Sequence, residues 1–195
     1  PLDTRYPDGD NTMLNAAAYI SHTWNINDHL ILVDGLRVGF STLHAEFSDS
    51  SFFHLPYNVA DQNNPVYSGS LGLINNTSND WKFSVLVSTG YRVPNMDDLS
   101  KVFESSLGAL IVPNSDLKPE KTINGELGIS KVFNKKTSLE NSIFYTRFFD
   151  AIVTDKFTFN GEDSVLYDGI MSQVYANQNK QSAFIYGFSA NLKSQ

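Results

Sequence analysis

Trp81-Lys82-Phe83-Ser84-Val85-Leu86-Val87-Ser88-Thr89-Gly90-Tyr91-Arg92-Val93-Pro94 decides the fold class of this chain. Trp81, Phe83, Val85, Val87 and Tyr91 fall on one side; Lys82, Ser84, Ser88, Gly90 and Arg92 fall on the other. A period of two with one apolar and one polar face is that of a β-strand. Pro94 then ends pairing, because proline has no N–H to donate. A long loop over 93–120 follows, and alternation resumes from Thr122. There Ile123, Leu127 and Ile129 oppose Asn124, Glu126 and Ser130.

The same period recurs on both sides of this pair. It predicts strands at Met13–Trp24, about His29–Phe47, Val66–Asn75, Trp81–Arg92, Thr122–Phe133, Thr137–Thr154 and about Gln173–Leu192. The connections between them alternate strictly between short turns, such as Asn25-Ile26-Asn27-Asp28, and long loops, such as Ser48–Asn64. All seven prolines sit in the long connections or at their edges. Short turns on one rim and long loops on the other describe a bacterial transmembrane barrel, whereas a soluble sandwich spreads loop length over both ends. The fold class expected is all-β, an antiparallel up-and-down meander, with a short helix around Asp98–Glu104 capped by Asp97 and Asp98. Leu36, Val38 and Phe40 point outward and Arg37, Gly39 and Ser41 inward. That phase carries Asp34 onto the apolar face, so a β-bulge at Asp34-Gly35 is expected to turn it inward.

Two boxes flank the long loop: Tyr91-Arg92-Val93-Pro94, and Asn114-Ser115-Asp116-Leu117-Lys118-Pro119-Glu120 with Glu126-Leu127-Gly128 after it. In this order, each joined to a strand, they resemble the late-barrel signature of TonB-dependent outer-membrane receptors. That family has Phe-Arg-Ala-Pro and Asn-Pro-Asp/Asn-Leu-Lys-Pro-Glu at these places, so Tyr91, Val93 and Ser115 depart from it. Asn179, Ala183 and Gly187 resemble a further strand motif of the family. The resemblance implies that 1–195 is a partial barrel domain, about seven strands of a larger 22-stranded transmembrane barrel. Seven is too few, and odd in number, for a bacterial single-chain barrel. Pro1 leads and Gln195 ends inside strand-like sequence, so the chain reads as an excised piece, its plug and TonB-contacting segment absent.

The same resemblance implies an outer-membrane importer in a Gram-negative bacterium, energised by TonB through the missing plug segment. Its solute is a scarce one, a ferric siderophore first, with haem or cobalamin as the alternative. Outer-membrane lipid is the other partner, and no cofactor is implied. Tyr91, Arg92, Pro94, Asn114, Leu117, Pro119, Glu120 and Glu126 are the motif residues, read as architectural. In the family's haem receptors a His lies between the boxes, and residues 91–120 contain none.

Composition agrees and excludes. Apolar residues are 41% and aromatics 13%, as the aromatic girdles of a barrel require. A net charge of −7 argues against nucleic-acid binding. A soluble β-rich module, for instance one that binds carbohydrate, is the rival from another class. An enzyme is not expected: there is no Gly-x-Ser-x-Gly elbow and no phosphate loop. No metal site is expected, because cysteine is absent and the four His (22, 29, 44 and 54) lack ligand spacing. The binding candidates are Phe52, Phe53, His54 and Tyr57, whose rings and imidazole could hold an iron chelate. Inside the barrel, Arg37 and Arg92 could steer an anionic complex; the plainer reading is that the rings pack and the inward charges of Arg37, Lys82, Arg92, Glu126 and Glu140 are solvated or paired.

Overall fold

Every alternating segment forms a strand in the computed structural model, which describes residues 7–48, 57–133 and 136–194, the side chain of Gln181 excepted. In chain order the elements are β1 Asn11–Asn25, β2 Leu30–Glu46, β3 Val59–Asn76, β4 Trp81–Arg92 and the helix α1 Met96–Ser100. After them come β5 Phe103–Ser106, β6 Ala109–Ile111, β7 Glu120–Phe133, β8 Thr137–Lys156, β9 Ser164–Tyr167 and β10 Ile170–Ser194. One sheet holds them all, in the order β1-β2-β3-β4-β7-β8-β10-β6-β5, with β9 also paired to β10. The seven long strands are an antiparallel meander, and the three short ones decorate its long-loop end.

The sheet does not curl into a sandwich. Leu36, Val85, Leu127 and Phe188, on four different strands, are 54%, 47%, 51% and 67% exposed. Cross-strand partners share a face, and the register links Leu36, Leu71, Val87, Tyr145 and Tyr186 into one continuous apolar face. The opposite face carries small and polar side chains, among them Ser70, Ser84, Ser88, Asn124, Ser142 and Ser189. An apolar face of this extent has no place in water.

Four expectations are corrected. First, β2 pairs without interruption on both sides, so there is no bulge at Asp34. Asp34 stays on the apolar face because His22 stands directly opposite on β1, with Nδ1 3.1 Å from Oδ1. Second, β3 begins at Val59, inside the expected loop. Pro65 is tolerated there because β4 pairs with β3 only from Ser70 onward, which leaves that edge of Pro65 free. Third, the helix is Met96–Ser100, capped by Asn95, with Asp98 as the reciprocal member of a capping box. Fourth, the loops over 93–120 and 157–172 contain strands of their own.

Buried residues cluster at the long-loop end. Leu43, Ala45 and Ala60 on the polar-face side of β2 and β3 pack with Met96, Leu99 and Leu117 of the 93–120 loop. A second cluster joins Val102, Leu110 and Val112 to Phe159, Tyr167, Val174 and Ala176. The contacts of Met96, Leu99 and Leu117 in the first cluster fold the two ends of the loop between β4 and β7 inward, onto the sheet's polar side.

Candidate functional site

β6 pairs in parallel with β10 (Val174 opposite Leu110), although β7 and β8 stand between β4 and β10. The 93–120 segment must therefore cross β7 and β8, and it does so as a strap over the inner face. Its entry is fixed by Arg92, whose Nη1 lies 2.6 Å from Asp98 Oδ2 and whose Nε lies 3.8 Å from Glu120 Oε1. Asp98 also accepts from the Asn95 backbone N–H at 3.1 Å, while its own N–H donates to Asn95 Oδ1 at 2.9 Å. One carboxylate thus ties strand end to helix start. Side chains of Asp98 and Glu120 are only 14% exposed, so each needs the guanidinium.

The exit of the strap is held by amides. Asn179 Oδ1 accepts from the Lys118 N–H at 2.8 Å, and its Nδ2 donates to the carbonyls of Lys118 and Asp150 at 2.9 and 2.6 Å. Asn114 Nδ2 donates to the Asn177 carbonyl at 2.8 Å, and Gln62 Nε2 to the carbonyl of Leu117 at 2.8 Å. Glu120 Oε2 accepts from the Ile152 N–H at 2.9 Å. Leu117 is buried beneath, and Pro119 ends the segment. So Arg92, Asn114, Leu117 and Glu120 of the two boxes converge with Asn179 on one fastening. Pro94 is fully buried at the entry.

The remaining candidates are dispersed. Arg37 Nε donates to the Tyr91 hydroxyl at 3.3 Å, where β3 and β4 no longer pair. Tyr91 accordingly leaves the exposed row and is half-buried. Lys82, Glu126 and Glu140 line a shallow cavity of about 350 Å³ on the inner wall with Ser84 and Ser142, and Glu140 pairs with Lys193 at 3.3 Å. Lys193 was legible, since it shares the inward phase of Ser189 and Asn191.

Phe52, Phe53 and His54 lie outside the described residues. Tyr57 packs edge-on to Phe47, ring centroids 6.0 Å apart, against the inner cluster. Burial pushes its phenol up to about 12 and Asp116 adds to the rise, while the hydroxyl itself has no hydrogen-bond partner. With Asn114, Asp116, Phe157 and Asn160, Tyr57 lines a cleft of about 230 Å³ at the loop end. Among the described residues no group of three or more His, Cys, Asp and Glu is placed to hold a metal ion.

Residues 1–195 match the family described as TonB dependent receptor-like, beta-barrel. The chain belongs to the TonB-dependent receptor β-barrel family. This is a family of outer-membrane transporters of Gram-negative bacteria, not of enzymes, and it places the chain in that membrane. Hemoglobin-haptoglobin utilization protein B of Neisseria meningitidis serogroup C is 29% identical across a 204-position alignment that covers 92% of this chain and 25% of that protein. The chain thus spans about a quarter of that relative's length. Among solved structures, the copper transporter OprC superposes with a TM-score of 0.71 at 18% identity, over 95% of this chain and 27% of OprC. The hemophore receptor HasR of Serratia marcescens gives 0.71 at 14%, over 92% and 31%. The siderophore receptor PirA of Acinetobacter baumannii gives 0.63 at 21%, over 92% and 25%. Likeness at these identities carries the fold alone.

Proposed function

We propose that this segment forms part of the wall and outer vestibule of a TonB-energised importer of an iron complex, a ferric siderophore first. The observation that carries the reading is the strap: a loop fastened across the polar face at the long-loop end narrows the space a solute must pass. Arg37 on that face, and Tyr57 with the neighbouring cleft, are the proposed ligand contacts; Phe52, Phe53 and His54 belong to the same proposal. A chelate that is anionic and rich in rings suits an arginine and a phenol.

Haem is the second reading, favoured by the relation to a hemoglobin-haptoglobin utilization protein. The lack of His over 91–120 weighs against it. The test is uptake by a receptor-deficient Gram-negative strain carrying the full-length receptor, with and without TonB. TonB-dependent accumulation of radioiron from a siderophore supports the first reading, and TonB-dependent growth on haem as sole iron supports the second. Uptake of neither, or uptake that persists without TonB, overturns the proposal.

A further inference from the structure

The apolar face bears four cations, and they are not alike. Lys131, near the short-turn rim, lies over the Trp81 ring at 5.2 Å and donates to the Asn79 carbonyl. Lys180, far up β10, is 2.6 Å from Asp155. Lys121 and Arg147 have only rings: Lys121 Nζ is 5.9 Å from the Tyr67 centroid, and the Arg147 guanidinium carbon 5.1 Å from that of Phe149. Among the described residues neither meets a carboxylate, and both side chains are exposed.

Their positions are set by register. Lys121 stands opposite Phe149 and Ile123 opposite Arg147, so the two cations are diagonal neighbours on β7 and β8. Diagonal neighbours lie roughly 7–8 Å apart, their Cβ atoms somewhat closer, within reach of a single phosphate for two such long side chains. About ten to twelve residues separate them from the short-turn end of this strand pair. At ~3.3 Å each and a tilt near 45° they sit roughly 23–28 Å up, at the top of an apolar band ~25 Å tall. Tyr145 and Phe184 stack at 6.1 Å, and Phe184 stands opposite Arg147.

We infer that Lys121 and Arg147 seat a phosphate of the phosphorylated, multiply acylated glycolipid of the outer leaflet, whose chains run down the face below. The occupant follows from charge and place. Long loops mark the outer side of a bacterial barrel, so the leaflet met at this height is the outer one. A cation pair level with Ile123 and Phe184 and above Tyr145 fits an anion carrying acyl chains better than a free anion. A guanidinium and an ammonium suit phosphate as fork and point charge respectively.

The experiment uses the full-length receptor in detergent, examined by native mass spectrometry with three probes: bis-phosphorylated lipid A, its dephosphorylated form, and inorganic phosphate. The wild type is expected to retain phosphorylated over dephosphorylated lipid by about tenfold, the change one charge-assisted contact provides. The double variant K121Q/R147Q should lose that preference while keeping the heat-modifiable mobility of a folded barrel. K131Q, altered at the opposite rim, should keep it. Equal retention of both lipids by the wild type, an undiminished preference in K121Q/R147Q, or displacement of the lipid by millimolar inorganic phosphate would each overturn the assignment.

Discussion

Two histidine–aspartate pairs occupy the same face, and their different depths give them different consequences. His22 and Asp34 lie a few residues above the β1–β2 turn, among Ile20, Leu36 and Leu71, where a lone carboxylate facing hydrocarbon is costly. Each needs the other. Removing only the imidazole, as in H22L, should destabilise the barrel by about 1–3 kcal/mol, whereas H22L/D34L should be near neutral or better. A double-mutant cycle on the unfolding midpoint in urea checks this, and equal costs for both variants would contradict it. His44 and Asp61, 2.7 Å apart, stand beyond the roughly ten residues that cross the bilayer from Leu30. The hydrogen bond to Asp61 raises the imidazole pKa above 6.5, with burial opposing slightly. A raised folded-state value means that the pair's stabilisation is full below about pH 6.5 and fades as pH climbs through the folded value. NMR titration should place the His44 midpoint above 6.5 and D61N should lower it; a midpoint unmoved by D61N would show no coupling.

The strap is where local sequence and long-range contact meet. Its fastening depends on Arg92 and on Asn179, residues far apart in sequence that act on the two ends of one loop. N179A removes three hydrogen bonds and leaves the Lys118 N–H and carbonyl without their partner. It should cost about 1–3 kcal/mol and admit protease cleavage within 93–120 while β4 and β7 stay protected. R92A should act alike, because it strands two half-buried carboxylates. Mass mapping of limited digests tests both, and an uncut loop in either variant would contradict the strap. Much of the rest was legible: the alternation of Val85, Leu127 and Phe188 set strands and faces, and the two boxes located the fastening. The rim strands were missed for identifiable reasons. Asn160-Gly161 and Asp168-Gly169 have φ of 52°, 87°, 48° and 82°, the two-residue hairpin geometry that such pairs announce. Read as loop punctuation, they hid β9 and the bridge between Phe159 and Glu162. β5 and β6 carry no such warning, being short, with β6 held by pairing to β10 and β5 by pairing to β6. The bulge at Asp34 failed differently, since strand phase alone cannot reveal a partner on the next strand.

At the scale of the molecule, one sheet with an apolar and a polar face must lie between hydrocarbon and a wet interior. Arg at Leu127 should therefore cost about 2–4 kcal/mol near the midplane. E126R, one residue away on the inner face, should cost far less; comparable losses of folded barrel for the two would contradict the assignment of faces. The most direct measurement places single nitroxide labels at residues 83 to 88 and 124 to 129 of the full-length receptor in lipid bilayers. Collision rates with oxygen and with a water-soluble nickel chelate are then read at each site. The account predicts a period of two, with oxygen favoured at Phe83, Val85, Val87, Leu127 and Ile129 and the chelate favoured at Ser84, Ser88, Asn124 and Glu126. Labels at Val85 and Leu127 that meet the chelate as freely as their neighbours do would contradict it.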